Sequence, residues 1–419
     1  MIILNSSLGL LLALGVSIFL LVIVLLVSML LFAKAKLAPS GPVTLKINND
    51  MVLEVDSGST ILSTLSAQKV FLPSACGGGG TCGMCSCQVV SGGGHILPTE
   101  VGFFNRKQIA DHWRLGCQVK VREDMEIKVP KEIFGIKKWE CEVISNRNVA
   151  TYIKEFKVKL PEGETLDFES GGYIQIDVPA CEVGFKEMNI EDKYTDDWNS
   201  YKMFDLKMKN PEPIYRAYSM ANHPAEGNII MLNIRIATPP WNRTTKSFEN
   251  VNPGICSSYV FSRKPGDKVT ISGPYGEFHI KKTNKEMIYI GGGAGMAPLR
   301  SHIFHLFLTE KTKRKVSYWY GARSLQEVFY EDEFGQIEHD FPNFKFNLAL
   351  SEPLPEDNWT GYTGFIHQVV LDNYLSKHDE PEEIEFYLCG PPMMNEAVFK
   401  MLDSIGVPPE NIAFDDFGG

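Results

Sequence analysis

Ten residues constrain this chain more than any others: Cys76-Gly77-Gly78-Gly79-Gly80-Thr81-Cys82-Gly83-Met84-Cys85, answered thirty-two residues after Cys85 by Cys117. Three thiols close together and one remote, in a glycine-rich loop, suit a [2Fe-2S] cluster. Each iron takes two cysteine sulfurs, and the bridging sulfides accept hydrogen bonds from backbone N–H groups that a loop poor in Cβ atoms can bring close. Structural zinc usually shows two separate C-x2-C pairs, and only one such pair is present. Cys87 lies in the strand-like Cys85-Ser86-Cys87-Gln88-Val89-Val90 and reads as a small buried side chain. The expected ligands are therefore Cys76, Cys82, Cys85 and Cys117.

Size and charge bound what the cluster is attached to. The 419 residues leave room for about three domains, and 44% apolar with 22% charged residues is ordinary for globular protein. A net charge of -10 argues against a nucleic-acid partner. Nine cysteines without regular pairing suit a reducing compartment, with Cys87, Cys141, Cys181, Cys256 and Cys389 outside the ligand set.

From Leu8 to Ala33 the chain carries no charge and is dominated by Leu, Val and Ile. A helix of this run, at about 1.5 Å per residue, exceeds the roughly 30 Å hydrocarbon core and can span it with some tilt. A signal peptide would carry Lys or Arg before a shorter apolar run, and no such residue precedes Leu8. Residues 1–36 are therefore expected to be a retained transmembrane anchor. Lys34 and Lys36 follow the run, so the positive-inside bias puts the amino terminus outside and the rest in the cytoplasm. Only Ser17 and Ser28 bring hydroxyls into the run and no carboxylate enters it, so this helix cannot carry an ion across by itself.

After a linker with two prolines, Val43 to Ile47 and Met51 to Val55 alternate around Asn48-Asn49-Asp50 as a β-hairpin does, and Thr60 to Ala67 reads as a short helix. Hairpin, helix and cysteine loop in this order resemble a β-grasp ferredoxin. The C-x5-C-x2-C spacing is close to the plant-type and vertebrate-type patterns, and Arg114-Leu115-Gly116-Cys117-Gln118 is similar to that family's R-L-x-C-Q segment. The resemblance implies an α+β ferredoxin domain over residues 37–130.

Between Trp139 and about Thr283 short strands recur, at Glu142–Ser145, Tyr152–Leu160, Tyr173–Val178, Asn228–Ala237 and Asp267–Ser272, which suggests an antiparallel barrel over residues 131–283. Arg216-Ala217-Tyr218-Ser219 resembles the R-x-Y-S motif of the ferredoxin-NADP reductase superfamily. That resemblance implies FAD, with Arg216 on its pyrophosphate, Tyr218 on the isoalloxazine and Ser219 near N5 as a catalytic hydroxyl. Gly254-Ile255-Cys256-Ser257-Ser258 matches the superfamily's G-x-x-S segment at a helix start, where free N–H groups suit the same pyrophosphate. Gly273-Pro274-Tyr275-Gly276 matches its G-P-x-G turn. The polar stretch Cys181 to Pro213 departs from the simpler reductases, and reads either as a solvated surface excursion or as a functional segment.

Residues 284–419 read as a parallel-sheet α/β nucleotide domain. The apolar Met287-Ile288-Tyr289-Ile290 runs into Gly291-Gly292-Gly293-Ala294-Gly295-Met296-Ala297-Pro298, a strand, glycine turn and helix start that can seat a dinucleotide pyrophosphate. The string is close to the superfamily's G-G-x-G-x-x-P form, which implies NADH contacts at Gly292, Gly293 and Gly295. Val316–Tyr320, Phe344–Leu350 and Ile384–Leu388 are further buried-strand candidates. Arg323 ends the first of these at the ligand-binding edge. Cys389-Gly390-Pro391-Pro392 resembles the C-G-P-P segment in which the Cys faces the nicotinamide, implying a catalytic Cys389 and cofactor contacts from Gly390 and Pro391. His302 and His305 are expected to be surface or packing residues. Phe417 is expected to lie over the flavin face, as the terminal aromatic ring of related reductases does.

A flavin is needed between NADH, which gives a hydride, and a cluster that takes one electron. Anchor, ferredoxin, FAD barrel and NADH domain together, with the ending Phe414-Asp415-Asp416-Phe417-Gly418-Gly419, are similar over essentially the whole chain to the F-subunit family of sodium-translocating NADH:quinone oxidoreductases. The family implies partner membrane subunits, quinone as final acceptor and residence in the bacterial inner membrane. Two alternatives stay open: an NADH-dependent reductase component feeding a membrane-bound oxygenase or desaturase, and a redox sensor using the cluster as a switch.

Overall fold

In the computed structural model, which describes residues 2–37 and 41–415, the uncharged amino-terminal run forms helix α1 (Ile2–Leu37). Its side chains from Leu14 to Leu30 are all exposed. Among the residues whose side chains the structure describes, which in α1 are 14–30 and 32, no helix is long and apolar enough to cross a membrane. The chain divides into two compact units, one of Met1–Leu72 with Gly83–Phe134 and the other of Pro73–Cys82 with Gly135–Gly419.

In the first unit, alternating polarity builds a sheet around one helix. Asn48 and Asn49, with φ of 53° and 63°, turn the chain between β1 (Pro42–Ile47) and β2 (Met51–Asp56), a left-handed conformation that asparagine tolerates. The Thr60 hydroxyl accepts the Ser63 N–H at 3.2 Å and caps α2 (Ile61–Ala67), which buries Ile61, Leu62 and Leu65. Then come β3 (Ser86–Ser91), α3 (Arg106–Ala110) behind an Asn105/Gln108 capping box, β4 (Trp113–Leu115) and β5 (Met125–Lys128). The sheet order is β2-β1-β5-β3-β4 with β1 and β5 parallel, the β-grasp arrangement that the hairpin and helix imply.

The second unit joins a barrel to an open sheet. Strands β6 (Lys137–Ala150), β7 (Ile153–Lys159) and β8 (Tyr173–Val178) lead to the segment from Cys181, which holds β9 (Cys181–Gly184), α4 (Asp192–Ser200) and β10 (Lys207–Asn210). Barrel strands resume with β11 (Ile214–Ser219) and β12 (Ile229–Arg235), followed by the small hairpin β13 (Trp241–Asn242) and β14 (Ser247–Phe248), helix α5 (Ile255–Ser262) and β15 (Lys268–Tyr275). The six long strands run antiparallel in the order β11-β8-β15-β6-β7-β12, and a bridge from Met220 to Leu232 brings the two edges together. β6 is far longer than alternation indicated. Register shifts against β7 after Val143 and after Asn148 break its period, so only a short piece reads as a strand.

Of the two readings of 181–213, a solvated surface excursion or a functional segment, the structure overturns the first. Phe185, Met188, Tyr194, Trp198, Met203 and Met208 are all buried, β9 pairs with β10, and Trp198 lies among Phe185, Phe204 and Phe261 at centroid distances of 6.2, 5.4 and 6.1 Å. A few large apolar side chains spaced through polar sequence suffice to bury this segment against the barrel.

The open sheet is parallel throughout. It comprises β16 (Met287–Gly292), α6 (Met296–Phe304), β17 (Val316–Ala322), α7 (Glu331–Asp340), β18 (Phe344–Leu350), β19 (Tyr362–Thr363), α8 (Ile366–Asn373), β20 (Glu385–Cys389), α9 (Pro392–Ser404) and β21 (Ile412–Asp415), in the order β19-β18-β17-β16-β20-β21. One face packs on α6 and α7 through residues such as Tyr289, Phe307 and Phe334, the other on α8 and α9 through Ile290, Val370 and Leu402.

Candidate active site

Strand β11 and helix α5 carry the residues expected at a flavin. Arg216 bonds through Nη1 to the Tyr215 carbonyl at 2.8 Å and forms no ion pair among the described residues, so its charge is available to an anion. It lies close enough to α5 to pull against the burial that pushes the Cys256 thiol up to about 12, and the Tyr218 phenol, raised first by burial, feels both. Arg216, Tyr218 and Cys256 thus lie close together. The Cys256 side chain packs in the barrel core, which leaves only its backbone N–H for a ligand. Gly254 precedes the helix without a side-chain cap, and a Cβ there would stand 2.5 Å from Ala237 Cβ and 2.9 Å from Ser257 Oγ. The Ser257 hydroxyl is occupied, accepting the Ala237 N–H at 3.1 Å and donating to Gly254 O at 3.2 Å, whereas the fully buried Ser258 Oγ has no partner among the described residues. Uncapped amides, an unmatched buried hydroxyl and an unneutralised guanidinium fit a diphosphate.

Ser219 ends β11 beside Tyr173, whose ring stacks on Tyr275 of the G-P-x-G turn at 5.3 Å. Its hydroxyl donates to Asp415 Oδ2 at 2.6 Å, the last residue of β21. Asp415 was not singled out from sequence, and the parallel pairing Cys389↔Asp415 is what brings it there. Phe417 lies outside the described residues.

At the head of β16, Gly293 takes φ of +57° and Tyr320 Oη donates to its carbonyl at 3.3 Å. A Cβ on Gly295 would fall 2.0 Å from Cys389 O, and one on Gly292 3.0 Å from Met394 Sδ. These glycines let the chain pass between the ends of β16 and β20 with the uncapped start of α6 directly behind. Gly390 and Pro391 border the same loop, since Met394 Cε would be 2.3 Å from a Cβ on Gly390 and Pro391 Cδ 3.5 Å from one on Gly292. Cys389 is wholly buried and packs on the α6 face of the sheet. Arg323 is exposed just past β17, while Glu327 and Glu333, two of the acids that follow it, are engaged by Thr151 and Arg300. His302 proves to be a packing residue, fully buried and stacked on Phe278 at 4.7 Å.

The cysteine set is divided between the units. In the second, Cys82 Sγ donates to Cys76 Sγ at 3.4 Å, and that contact, helped by the N–H groups of Thr81, Cys82 and Gly78, holds the Cys76 thiol down to about 3 against burial. Such a donor cage suits thiolate sulfur. In the first, Gly116 N donates to Cys85 O at 2.8 Å, so Cys85 and Cys117 leave the same end of the β3–β4 ladder. Among the described residues no three His, Cys, Asp or Glu side chains converge on one metal ion. A binuclear cluster asks instead for two thiolates at each of two irons. Sequence reasoning missed Glu100, which is fully buried, takes Arg114 through Nε and Nη2 at 2.8–3.1 Å, and accepts the Leu115 N–H at 2.8 Å, clamping the strand that leads to Cys117. Cys87 is buried, as expected, with its thiol raised to about 12 by burial.

Fold and site together define a flavin-dependent pyridine-nucleotide reductase with a ferredoxin domain. Residues 45–122 match the family described as 2Fe-2S iron-sulfur cluster binding domain, 198–280 the oxidoreductase FAD-binding domain, and 289–400 the oxidoreductase NAD-binding domain. The chain carries binding domains for all three groups. It is 54% identical over 409 residues to the Psychrobacter arcticus F subunit of Na(+)-translocating NADH-quinone reductase, covering 97% of this chain and 98% of that one. The Neisseria gonorrhoeae protein of the same name is also 54% identical, over 97% of this chain and 99% of its own length. The chain belongs to the F-subunit family of Na(+)-translocating NADH-quinone reductases. Its fold is shared with an Amycolatopsis cytochrome P450 reductase (TM-score 0.61, 22% identity, 90% of this chain and 98% of that one) and with the ferredoxin reductase in carbazole 1,9a-dioxygenase (TM-score 0.58, 24% identity, 90% and 98%).

Proposed function

We propose that the chain is the NADH-oxidising input component of a membrane quinone reductase coupled to sodium export, passing electrons through the cofactors of partner subunits to quinone. The reading is carried by the meeting of Ser219 and Asp415 at 2.6 Å, which sets the end of the R-x-Y-S strand against the carboxyl edge of the nucleotide sheet. Hydride donor and flavin have to meet at such a junction.

FAD, when bound, accepts a hydride and releases electrons singly, and the [2Fe-2S] cluster takes them one at a time. Arg216, the amides of Gly254 to Ser258 and the Ser258 hydroxyl bind the flavin diphosphate. Tyr218 supplies a ring surface for the isoalloxazine. Ser219, oriented by its bond to Asp415, presents its remaining lone pair near the reacting flavin edge. Gly292, Gly293 and Gly295 admit the nucleotide pyrophosphate to the start of α6, Arg323 meets the adenosine side, and Cys389, Gly390 and Pro391 border the nicotinamide. Cys76, Cys82, Cys85 and Cys117 hold the cluster.

The proposed domains are an anchor at 1–36, the ferredoxin at 37–130, the FAD barrel at 131–283 and the NADH domain at 284–419. Helix α1, apolar and exposed from Leu14 to Leu30, anchors the chain once in the inner membrane with its amino end outside and the catalytic domains in the cytoplasm. The test is the sodium-stimulated part of NADH:quinone reduction by membranes. It should vanish when this chain alone is removed and return when the chain is supplied again; membranes lacking the chain that keep it would overturn the reading.

A further inference from the structure

The folded insertion β9–α4–β10 exceeds what a simpler reductase barrel needs, and its helix reaches the nucleotide-binding sheet through one amide. Gln326 Nε2 donates to Asp197 Oδ2 on α4 at 2.8 Å and to Thr151 Oγ1, in the turn between β6 and β7, at 2.9 Å. Both hydrogens of that amide are thereby used. The Thr151 hydroxyl donates onward to Glu327 Oε1 at 2.5 Å, and the Thr151 carbonyl accepts the Trp198 indole N–H at 2.8 Å. Thr151 is 1% exposed and Trp198 fully buried, so water competes poorly for these bonds.

Gln326 and Glu327 belong to the short turn Leu325–Glu327, which follows Arg323 at the carboxyl end of β17. From its other side the same stretch is held within the sheet domain, where Leu325 N donates to Asp357 Oδ2 at 3.1 Å and Glu352 N to Arg323 O at 2.8 Å. The backbone around Arg323 is thus clamped between its own domain and the insertion. In open α/β sheets the strand beside the glycine-loop strand carries the group that reads the adenosine ribose, and β17 pairs directly with β16.

We infer that the insertion, together with the β6–β7 turn, positions the adenosine half of NADH: Asp197 of α4 and Thr151 of the turn, acting through Gln326 and Glu327, hold the Arg323 segment in its binding form. This rests on the proposal that NADH binds at the 292–295 loop. Asp197 and Thr151 are positioning residues and touch no ligand themselves.

The test uses the full-length, FAD-loaded protein with ferricyanide as acceptor. Asp197→Ala, which loses one hydrogen bond, should raise the KM for NADH and the inhibition constant of ADP-ribose about 5- to 10-fold, and Thr151→Val, which loses two, should raise them at least as much, with kcat within about 2-fold in both. Asp197→Asn keeps an acceptor oxygen and should restore near-native values. Reduced nicotinamide mononucleotide, which lacks the adenosine half, should be oxidised with unchanged kcat/KM by every variant. The inference is overturned if both variants keep native NADH and ADP-ribose constants, or if the mononucleotide suffers as much as NADH. Should ADP-ribose fail to compete with NADH in the unaltered protein, the nucleotide assignment beneath the inference is what fails.

Discussion

Ser219 has one proton and gives it to Asp415. What it offers a ligand is therefore an oriented acceptor. In Ser219→Ala, hydride transfer is expected to slow about 10-fold, the effect of roughly 1.4 kcal/mol in the transition state, while bound FAD is retained. Stopped-flow bleaching of the flavin by NADH measures it, and a native rate would remove Ser219 from the chemistry. His302 gives a second prediction. Burial holds its pKa down to about 4 from 6.5, outweighing the contact of Nε2 with Phe278 O at 2.9 Å, so the folded ring is neutral. As pH falls below 6.5 the unfolded chain binds a proton that the folded one refuses. Stability is thus lost progressively between pH 6.5 and about 4, by roughly 3 kcal/mol in all, and this group adds no slope above that window. Urea unfolding of the native protein and of His302→Phe should show the acid-side slope shrinking in the variant. Arg216 stands out in the sequence because a short motif names it. Asp415 does not, because it stands 196 residues from Ser219 and reaches it only through a parallel ladder.

At the level of elements, the β1–β2 hairpin, α2 and the strand, loop and helix at Met287 to Phe304 could be read directly, since each has its own period and end signals. The insertion could not. Its buried side chains are isolated from one another by charged residues, so no window shows a hydrophobic period, and only packing against α5 reveals the core. Trp198→Ala should accordingly destabilise the protein by about 3–5 kcal/mol, as emptying a large aromatic site does. Denaturant titration is the measurement, and a loss under about 1 kcal/mol would show that the segment collapses without its centre. Helix α1 makes the opposite expectation. Its described side chains are all exposed, so removing residues 1–36 should leave NADH oxidation with ferricyanide intact while the protein passes from membrane to soluble fraction. Membrane retention of the shortened chain would assign the anchoring to another surface.

Across the whole molecule, electron entry and electron exit draw on different stretches of chain. Every residue proposed for flavin or nucleotide belongs to the unit that includes Gly135–Gly419, while Cys117 belongs to the other, at the end of a strand clamped by the Glu100–Arg114 pair. That pair is an internal support, because the buried Glu100 carboxylate accepts hydrogen bonds from the Arg114 guanidinium and from the backbone N–H groups of Leu97 and Leu115. Losing one thiolate at Cys117 should then abolish the cluster without unfolding its strand or disturbing the FAD corner. The Cys117→Ala protein is expected to keep native FAD content and a native rate of NADH oxidation by ferricyanide, to lose the visible and EPR signals of a [2Fe-2S] centre, and to stop delivering electrons to quinone in membranes. Quinone reduction at the native rate by a protein shown to lack those signals would mean that electrons leave the flavin by a route that bypasses the four cysteines.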